Sequence, residues 1–322
     1  MPKLQLKKET LNIMRAVTID KFGDTKVLNV TEIPQPAISS NEVLINIFAT
    51  SVNPADCKMR KGFYPIDESF EFPYILGRDF SGQIEACGKK VTDFKLGDHV
   101  FGVLPAGREG TYLEKLAIDA NLIARKPNSL SHYDAAAIAL TGLTALVSIE
   151  DNLELQAGEN ILIHGGAGGV GSYAVQLANY LGANVITTAS SNNHDYLYNL
   201  GANKVIDYNT EDFNKTLSNI DVAFDLIGGE VHERTLHILN TGGRIAYIAP
   251  LTKDPGPPRS DIQVIRPNVK RDRAHLLRII ELFELGAVVA PEIRTFPLEN
   301  IREAHELVET NHVRGKVIIK IK

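Results

Sequence analysis

The chain has 322 residues, 44% of them apolar and 23% charged, which is ordinary for a soluble globular protein with room for two domains. Its formal net charge of −5 is small and no block of like charge occurs, so the sequence lacks the electrostatic footprint of a nucleic-acid-binding protein. Two cysteines do not make a disulfide framework and suit a reducing compartment.

The N-terminal stretch MPKLQLKKETLNI, residues 1–13, has neither the apolar core of a signal peptide nor the Arg- and Ser-rich bias of a transit peptide. No run of 18 apolar residues occurs in the sequence, so we expect no membrane span. We therefore expect a cytoplasmic enzyme. We also expect residues 1–13 to be a dispensable extension before a first strand that starts at Met14.

Residues 14–126 consist of short β-rich runs separated by Gly, Pro and Asp, among them RAVTI, EVLINIFAT and DHVFGVL. This alternation predicts a small all-β, barrel-like domain.

The segment VNPADCKMRKGFY, residues 52–64, places several reactive side chains in one loop-like stretch of that domain. We interpret Cys57 as a small side chain in a strand-to-helix connection rather than a nucleophile or a metal ligand. Asp56 is interpreted as a helix cap rather than a base. Lys58 and Arg60 are predicted to lie on a solvated face.

Beyond residue 130 the sequence changes character. Residues 131–134, SHYD, predict a capping box that opens an Ala-rich helix through about Ile149. From Asn160, β-runs alternate with helical segments, and this pattern predicts an α/β fold with a parallel, doubly wound Rossmann sheet. The six predicted strands are ILIHG, NVITTAS, KVID, VAFDLI, GRIAYIA and IQVIR.

A Pro-rich loop, residues 251–261, precedes a helix and a final strand–helix–strand tail. A complete six-stranded sheet has no place for that tail, so we assign it to the N-terminal domain. The predicted domains are therefore a catalytic domain, residues 1–130 with 270–322, and a dinucleotide-binding domain, residues 131–269.

A glycine-rich loop follows the first strand of the predicted parallel sheet and precedes an amphipathic helix. Glycines here allow a tight turn, close approach to a pyrophosphate, and packing of the helix on the strand, while the helix N-terminus faces negative charge. A merely tight strand–helix turn is the alternative. The predicted cofactor-binding residues of this loop are Gly166, Gly168, Gly169, Val170 and Gly171.

The second predicted strand ends ITTASSNNHD and carries no acid before Asp195. An NAD site usually holds the ribose hydroxyls with an Asp or Glu at that point, so its absence favours NADPH. Ser190, Ser191 and Asn192 offer hydroxyl and amide donors instead, although no Arg or Lys stands in this turn to pair a 2′-phosphate. Tyr208 could supply another hydroxyl, or could be an ordinary half-exposed aromatic residue.

Ligands of doubly wound sheets bind at the carboxyl ends of the strands. Ile227, Gly228 and Ala249 fall just past two predicted strand ends. We therefore expect them at the mouth of the crevice, beside a nicotinamide ring.

Several motifs together resemble the medium-chain dehydrogenase/reductases, in the zinc-free quinone oxidoreductase (zeta-crystallin-like) branch. The resemblance runs from Met14 to the C-terminus and implies a GroES-like catalytic domain joined to a Rossmann domain. Its markers are VNPAD at 52–56, FPYILGRDFSG at 72–82, VTDFKLGDHVFG at 91–102, ALTGLTAL at 139–146, IHGGAGGVG at 163–171, FDLIGG at 224–229 and RGKVII at 314–319.

The same resemblance implies that no metal is bound. Zinc alcohol dehydrogenases of the superfamily carry a catalytic Cys where this chain has Asn53, and a Gly-His-Glu where it has Gly77, Arg78 and Asp79. Zinc needs about four ligands, roughly three of them from the protein. That set is missing here.

The resemblance also implies roles for four residues. Tyr64 matches a Tyr that lies beside the nicotinamide and donates to the substrate carbonyl in related enoyl reductases; packing of the cleft wall is the alternative. Asn53 resembles an Asn that fixes the nicotinamide ribose or the substrate, rather than a turn-forming residue before Pro54. Thr141 and Thr144 match threonines that contact the cofactor, with back-bonding inside a helix as the alternative.

We therefore predict an NADPH-dependent reductase that transfers hydride, without zinc, to a small electrophile such as a quinone or an α,β-unsaturated carbonyl compound. Two alternatives stay open: a 2-enoyl thioester reductase, and an NADPH-binding sensor or structural protein with little turnover. The resemblance implies a homodimer that pairs sheet edges through residues 262–266. Neither nucleic acid nor membrane is expected as a partner.

Overall fold

The computed structural model describes residues 12–64, 70–105, 107–108, 110–251 and 259–322. Residues 1–11 of the predicted extension and residues 252–258 of the predicted Pro-rich loop lie outside this description. The first strand begins at Ile13, one residue before its predicted start.

The secondary structure follows the predicted change from strands to alternating strands and helices. The N-terminal region contains β1 (Ile13–Ile19), β2 (Asn29–Pro34), β3 (Glu42–Val52), α1 (Pro54–Arg60), β4 (Tyr74–Ile75), β5 (Asp79–Cys87), β6 (His99–Val103), β7 (Lys115–Asp119) and β8 (Ile123–Arg125). The remainder contains α2 (His132–Leu146), β9 (Asn160–His164), α3 (Gly169–Tyr180), β10 (Asn184–Ala189), α4 (His194–Asn199), β11 (Lys204–Asp207), α5 (Phe213–Thr216), β12 (Ile220–Asp225), α6 (Glu230–Leu236), β13 (Leu239–Tyr247), β14 (Gln263–Ile265), α7 (Arg273–Glu284), β15 (Ile293–Pro297), α8 (Ile301–Glu309) and β16 (Lys316–Lys320).

The C-terminal tail pairs with the N-terminal strands. One sheet runs in the order β15-β16-β3-β5-β6-β8, with β7 also paired to β3, and a smaller sheet has the order β2-β1-β4. Strand β16 is antiparallel to β3, with Val317 opposite Val52. Apolar side chains of the tail, such as Ile319, share a core with those of β3, such as Ile45. The GroES-like domain is thus assembled from both ends of the chain.

The six strands predicted for the dinucleotide-binding region form one parallel sheet in the order β11-β10-β9-β12-β13-β14. The order reverses next to β9, so the crevice of a doubly wound sheet opens at the carboxyl end of that strand. The predicted α/β class, a Rossmann sheet joined to a GroES-like domain, is confirmed.

Helix α7 follows the predicted domain boundary at residue 270 and packs against both domains. Leu276, Ile279 and Leu282 pack in the core that α2 and α3 share, on the Rossmann sheet. The same core also includes side chains of β6 and β8 in the catalytic domain, so the predicted boundary near residue 270 stays a prediction. Beyond the helix, residues Ile293 onward pair with the catalytic sheet.

Helix α2 lies between the two domains. It begins at the predicted cap, where the Ser131 hydroxyl accepts a hydrogen bond from the Asp134 backbone N–H. The stretch His132–Asn152 is long and apolar enough to cross a membrane by composition. Because 78% of its most apolar window is buried inside the protein, it has the character of a core helix.

Candidate functional site: the cleft beside the glycine loop

The loop between β9 and α3 contains glycines that its geometry requires for different reasons, a positive φ at one position and close packing at others. Gly165, which precedes the predicted motif, has φ = +77°, a conformation that favours glycine. A Cβ on Gly166 would stand 2.1 Å from Thr187 Oγ1, and one on Gly171 would stand 2.2 Å from the Gly165 carbonyl oxygen. These close approaches bring the loop and α3 tightly against the sheet.

Gly168 differs from its neighbours because the structure leaves room for a Cβ at this position. It is the N-cap of α3, and a Cβ there would meet only the Gly165 carbonyl oxygen, at 3.6 Å. The first N–H groups of a 12-residue helix lack intrahelical partners and carry partial positive charge. A smooth backbone cradle with outward N–H groups fits the pyrophosphate of a dinucleotide.

Two alanine substitutions should separate the structural glycines from the binding glycine. We expect Gly168→Ala to melt like the wild type but to bind NADPH at least tenfold more weakly, because its methyl group would occupy space meant for the pyrophosphate. Gly166→Ala should lower the melting temperature, since its methyl group would collide with Thr187. Thermal melts and NADPH titrations measure both effects. Normal NADPH binding by Gly168→Ala would contradict the cradle.

Three predicted crevice residues lie together beside this loop. A Cβ on Gly165 would be 3.1 Å from Ile227 Cδ1, and one on Gly228 would be 3.0 Å from Ala249 Cβ. The Asp225 carboxylate fixes the turn after β12 by accepting the backbone N–H groups of Ile227 and Gly228, both at 2.9 Å. Ile227 is 54% exposed, so an apolar side chain stands at the mouth of the crevice.

The predicted ribose-binding residues follow two paired strands. Ala189 of β10 is opposite Asp207 of β11, so Ser190 and Tyr208 leave the same edge of the sheet. Tyr208 is 50% exposed, and Ser191 and Asn192 are exposed. These polar groups are available to a ligand, and their contact with the ribose stays a prediction.

Thr141 and Thr144 make the back-bonding contacts within α2 that were the alternative to contact with the cofactor. Their hydroxyl groups donate to the carbonyl oxygens of Ala137 and Leu140, at 2.6 and 2.7 Å. The methyl group of Thr141 nevertheless borders the glycine loop, 3.0 Å from the Cβ position of Gly169. Thr141 therefore lies beside the cofactor cradle, and its predicted ligand contact stays a prediction.

Asn53 is held in a buried polar network that sequence analysis missed. Its Oδ1 accepts a hydrogen bond from Lys316 Nζ at 2.7 Å, and its Nδ2 donates to Asp79 Oδ2 at 3.0 Å. Ser51 donates to Asp79 through both its backbone N–H and its hydroxyl. The amide of Asn53 thus connects the amine of Lys316 to the buried carboxyl group of Asp79, and its predicted ligand contact stays a prediction.

Burial shifts the pKa of the ionisable groups at both ends of this network. Burial lowers the pKa of Lys316 and raises the pKa of Asp79, which favours the neutral form of each group. The Lys316 side chain also lies 3.1 Å from the Cβ position of Gly169, and its ammonium group donates to the Val52 carbonyl oxygen. Lys316 therefore joins the glycine loop to Asn53. Lys316 belongs to the family motif RGKVII, but nothing in the sequence links that motif to residue 53.

The candidate donor Tyr64 lies against Arg78. The guanidinium carbon is 4.6 Å from the centre of the phenol ring, and Nη1 is 3.5 Å from the Tyr64 hydroxyl. Arg78 also donates through Nε to Asp56 Oδ1 at 3.1 Å, in an ion pair that is almost fully buried. Asp56 Oδ2 accepts the Asn53 backbone N–H at 2.8 Å, the helix-capping contact predicted for it. Tyr64, Arg78, Asp56 and Asn53 thus form one connected cluster.

Cys57 lies beneath this cluster. Its Sγ is 3.4 Å from His305 Nδ1, and His305 Nε2 is 3.2 Å from the Tyr112 hydroxyl. Burial raises the pKa of the Cys57 thiol to about 12 and lowers the pKa of His305 to about 3, so both groups are neutral near pH 7. A neutral, buried thiol is a poor nucleophile, in agreement with the small-side-chain interpretation.

The prediction that Arg60 lies on a solvated face of α1 is wrong. Its side chain is completely buried and forms an ion pair with Glu309 of α8. The pair connects α1 to the C-terminal tail, a contact that the local charge pattern could not indicate.

No group of three or more His, Cys, Asp or Glu side chains in metal-binding geometry occurs among the described residues. The positions that matched zinc ligands instead hold the amide of Asn53 and the cation of Arg78. A guanidinium group is not a metal ligand, since it has no lone pair to offer.

Comparison with known proteins agrees with this arrangement. The model of the alcohol dehydrogenase GroES-like domain matches residues 39–128, and that of the zinc-binding dehydrogenase matches residues 200–319. The mitochondrial NAD(P)H oxidoreductase RTN4IP1 of Danio rerio is 32% identical, with 96% of this chain and 92% of that protein covered. The chloroplastic NADPH-dependent alkenal/one oxidoreductase of Arabidopsis thaliana is 30% identical, with 95% and 79% covered.

Among solved structures, the quinone oxidoreductase from Coxiella burnetii matches with a TM-score of 0.90 at 34% identity, covering 97% of this chain and 100% of that one. The two organellar relatives leave the cytoplasmic location of this chain a prediction. Fold, glycine cradle and relatives agree: the chain belongs to the medium-chain dehydrogenase/reductase family and is an NAD(P)H-dependent oxidoreductase.

Proposed function

We propose that the protein uses NADPH to reduce a quinone or an α,β-unsaturated carbonyl compound without zinc. The cluster of Tyr64, Arg78 and Asp56 is the observation that carries this proposal. In this proposal, the hydroxyl donor and the buried cation of the cluster take the part that a metal plays in zinc-dependent members of the family. The names of the Arabidopsis thaliana relative and the Coxiella burnetii structure support these substrate classes.

The bound nicotinamide would supply the hydride, and the chain's own residues would handle orientation and charge. The glycine loop holds the pyrophosphate, and Ile227 with Ala249 borders the crevice beside it. Quinones and enones accept hydride at carbon and develop negative charge on oxygen. Tyr64 donates a hydrogen bond to that oxygen, and the adjacent Arg78 stabilises the charge.

A saturated alcohol requires more from an active site, because a proton must leave its hydroxyl as the hydride leaves carbon. Zinc would make that hydroxyl acidic enough in metal-dependent relatives. The Asn53 and Arg78 positions provide no replacement ligands. The cluster therefore favours electrophilic acceptors over alcohols.

The proposal is tested by following NADPH and NADH oxidation with a small quinone, an enone and a 2-enoyl thioester, and NADP⁺ reduction with a simple alcohol. We expect turnover of quinone or enone with NADPH that a chelator does not affect. Preferential turnover of the enoyl thioester would mean that the substrates are enoyl thioesters and not quinones or enones. NADPH binding without turnover would indicate a sensor or structural protein, and chelator-sensitive alcohol oxidation would overturn the zinc-free assignment.

We also propose that two copies pair through the edge of the Rossmann sheet. Strand β14 ends that sheet, and Val264 on it is 38% exposed. Among the described residues no strand pairs with the outer edge of β14, and such an edge with an apolar side chain is suited to pairing with a second copy. We expect Val264→Lys to shift the protein from dimer to monomer in sedimentation experiments, while Val289→Lys, a change at another exposed valine, should not. A wild-type monomer would contradict this arrangement.

A further inference from the structure

The segment Arg314-Gly315-Lys316 belongs to the tail of the catalytic domain but docks on the glycine loop of the other domain. The Gly315 N–H donates to the Ala167 carbonyl oxygen at 2.8 Å, and Gly315 forms a parallel bridge with Gly168. Gly315 has φ = +67°, and a Cβ there would stand 1.9 Å from the Glu292 carbonyl oxygen. Only glycine fits this position, so the two flanking cations are held at defined places.

Arg314 extends from this segment to the turn after β10. Its Nε donates to Asn193 Oδ1 at 2.6 Å, and its Nη2 donates to the Asn192 carbonyl oxygen at 2.5 Å. Its Nη1 is 3.4 Å from Glu292 Oε1, and the guanidinium carbon is 5.4 Å from the centre of the Tyr196 ring. Two hydrogen bonds, an ion pair and an aromatic face therefore hold the guanidinium group beside residues 192 and 193.

This turn is where a dinucleotide-binding sheet meets the adenosine ribose. The turn has no Lys or Arg of its own, and its serine and asparagine side chains are neutral donors. Arg314 thus supplies the positive charge that the local sequence lacks. It does so from more than a hundred residues away, and its side chain remains 35% exposed.

We propose that Arg314 binds the 2′-phosphate of NADPH and is the residue by which the protein distinguishes NADPH from NADH. This inference rests on the proposed use of NADPH. The contacts described above engage one N–H on each guanidinium nitrogen, which leaves a second N–H on Nη1 and on Nη2 for phosphate oxygens. Arg pairs phosphates strongly because its planar fork offers two parallel donors.

The test is a calorimetric titration of the purified protein with NADPH, NADH, 2′-phospho-ADP-ribose and ADP-ribose. The last two compounds lack the nicotinamide, so they report on the adenosine end alone. Arg314→Gln removes the charge, and Arg314→Lys keeps it without the fork. Arg294→Gln is the matched control, because Arg294 is an exposed residue on the neighbouring strand β15.

We expect Arg314→Gln to weaken NADPH and 2′-phospho-ADP-ribose binding by about 10- to 100-fold, while NADH and ADP-ribose binding stays within about twofold. Arg314→Lys should be intermediate, and Arg294→Gln should match the wild type. Equal loss of all four ligands would show a role in docking the segment and would overturn the inference.

Retained NADPH preference in Arg314→Gln would overturn the assignment of Arg314 while the proposed use of NADPH stands. A wild-type protein that binds NADH as tightly as NADPH would overturn both. The outcomes for the residue and for the cofactor are therefore distinguishable.

Discussion

Replacing Tyr64 with Phe should lower kcat for the quinone or enone substrate by roughly 100-fold, with little change in KM for NADPH. The substitution removes the hydroxyl group that we propose donates to the oxygen where charge develops, and loss of such a donor typically costs about 10²- to 10³-fold in kcat. The phenyl ring can keep its packing against Arg78, 4.6 Å from the guanidinium carbon. Steady-state kinetics with saturating NADPH measures the effect.

Tyr180→Phe is the matched control, because Tyr180 is 46% exposed and lies at the opposite end of α3 from the glycine loop. It should leave kcat unchanged. Both variants should melt within a few degrees of the wild type. If Tyr64→Phe kept more than a third of wild-type kcat, Tyr64 would be a packing residue of the cleft and not a donor.

Replacing Arg78 with Met should destabilise the protein by about 3–5 kcal/mol. Arg78 and Asp56 are 2% and 0% exposed, so removing the cation leaves a carboxylate buried without its partner. Urea unfolding followed by circular dichroism gives the free energy of unfolding. The double variant Arg78→Met/Asp56→Asn should recover part of the loss, because the uncompensated charge is gone.

An exposed ion pair provides the comparison. Arg234 pairs with Asp212 at the surface, where the two side chains are 44% and 37% exposed. Arg234→Met should cost less than about 1 kcal/mol, since solvent screens such pairs. Equal losses in Arg78→Met and Arg234→Met would mean that the Arg78–Asp56 pair is not shielded from water.

The fold could be predicted from local patterns because its signals are local. Alternation of strands and helices after Asn160 indicated the parallel sheet, and the glycines from 166 to 171 marked its crevice. The packing partners of helix α7 could not be predicted for the same reason. Its sequence shows an apolar face, but only the tertiary structure shows that Ile279 and its neighbours pack with α2 and α3.

The candidate site was predicted less completely, because its contacts join distant parts of the chain. Asn53 and Tyr64 were identified through a family resemblance, yet the partners that orient them were not. Lys316 is 263 residues from Asn53, and Arg60 was expected in solvent although it is buried and paired with Glu309. The charge pattern along one helix does not indicate which distant element will cover its charged side chains.

Helix α2 also limits how the protein can be divided. Ala136 and Ala137 pack on Ala49 and Ile318 of the catalytic domain, while Leu143 packs in the core of the Rossmann domain. A fragment cut near residue 131 would expose one of these surfaces to water, whichever side kept the helix. The two domains are distinct in architecture, but α2 packs against both of them, so we expect them to unfold as a single cooperative unit.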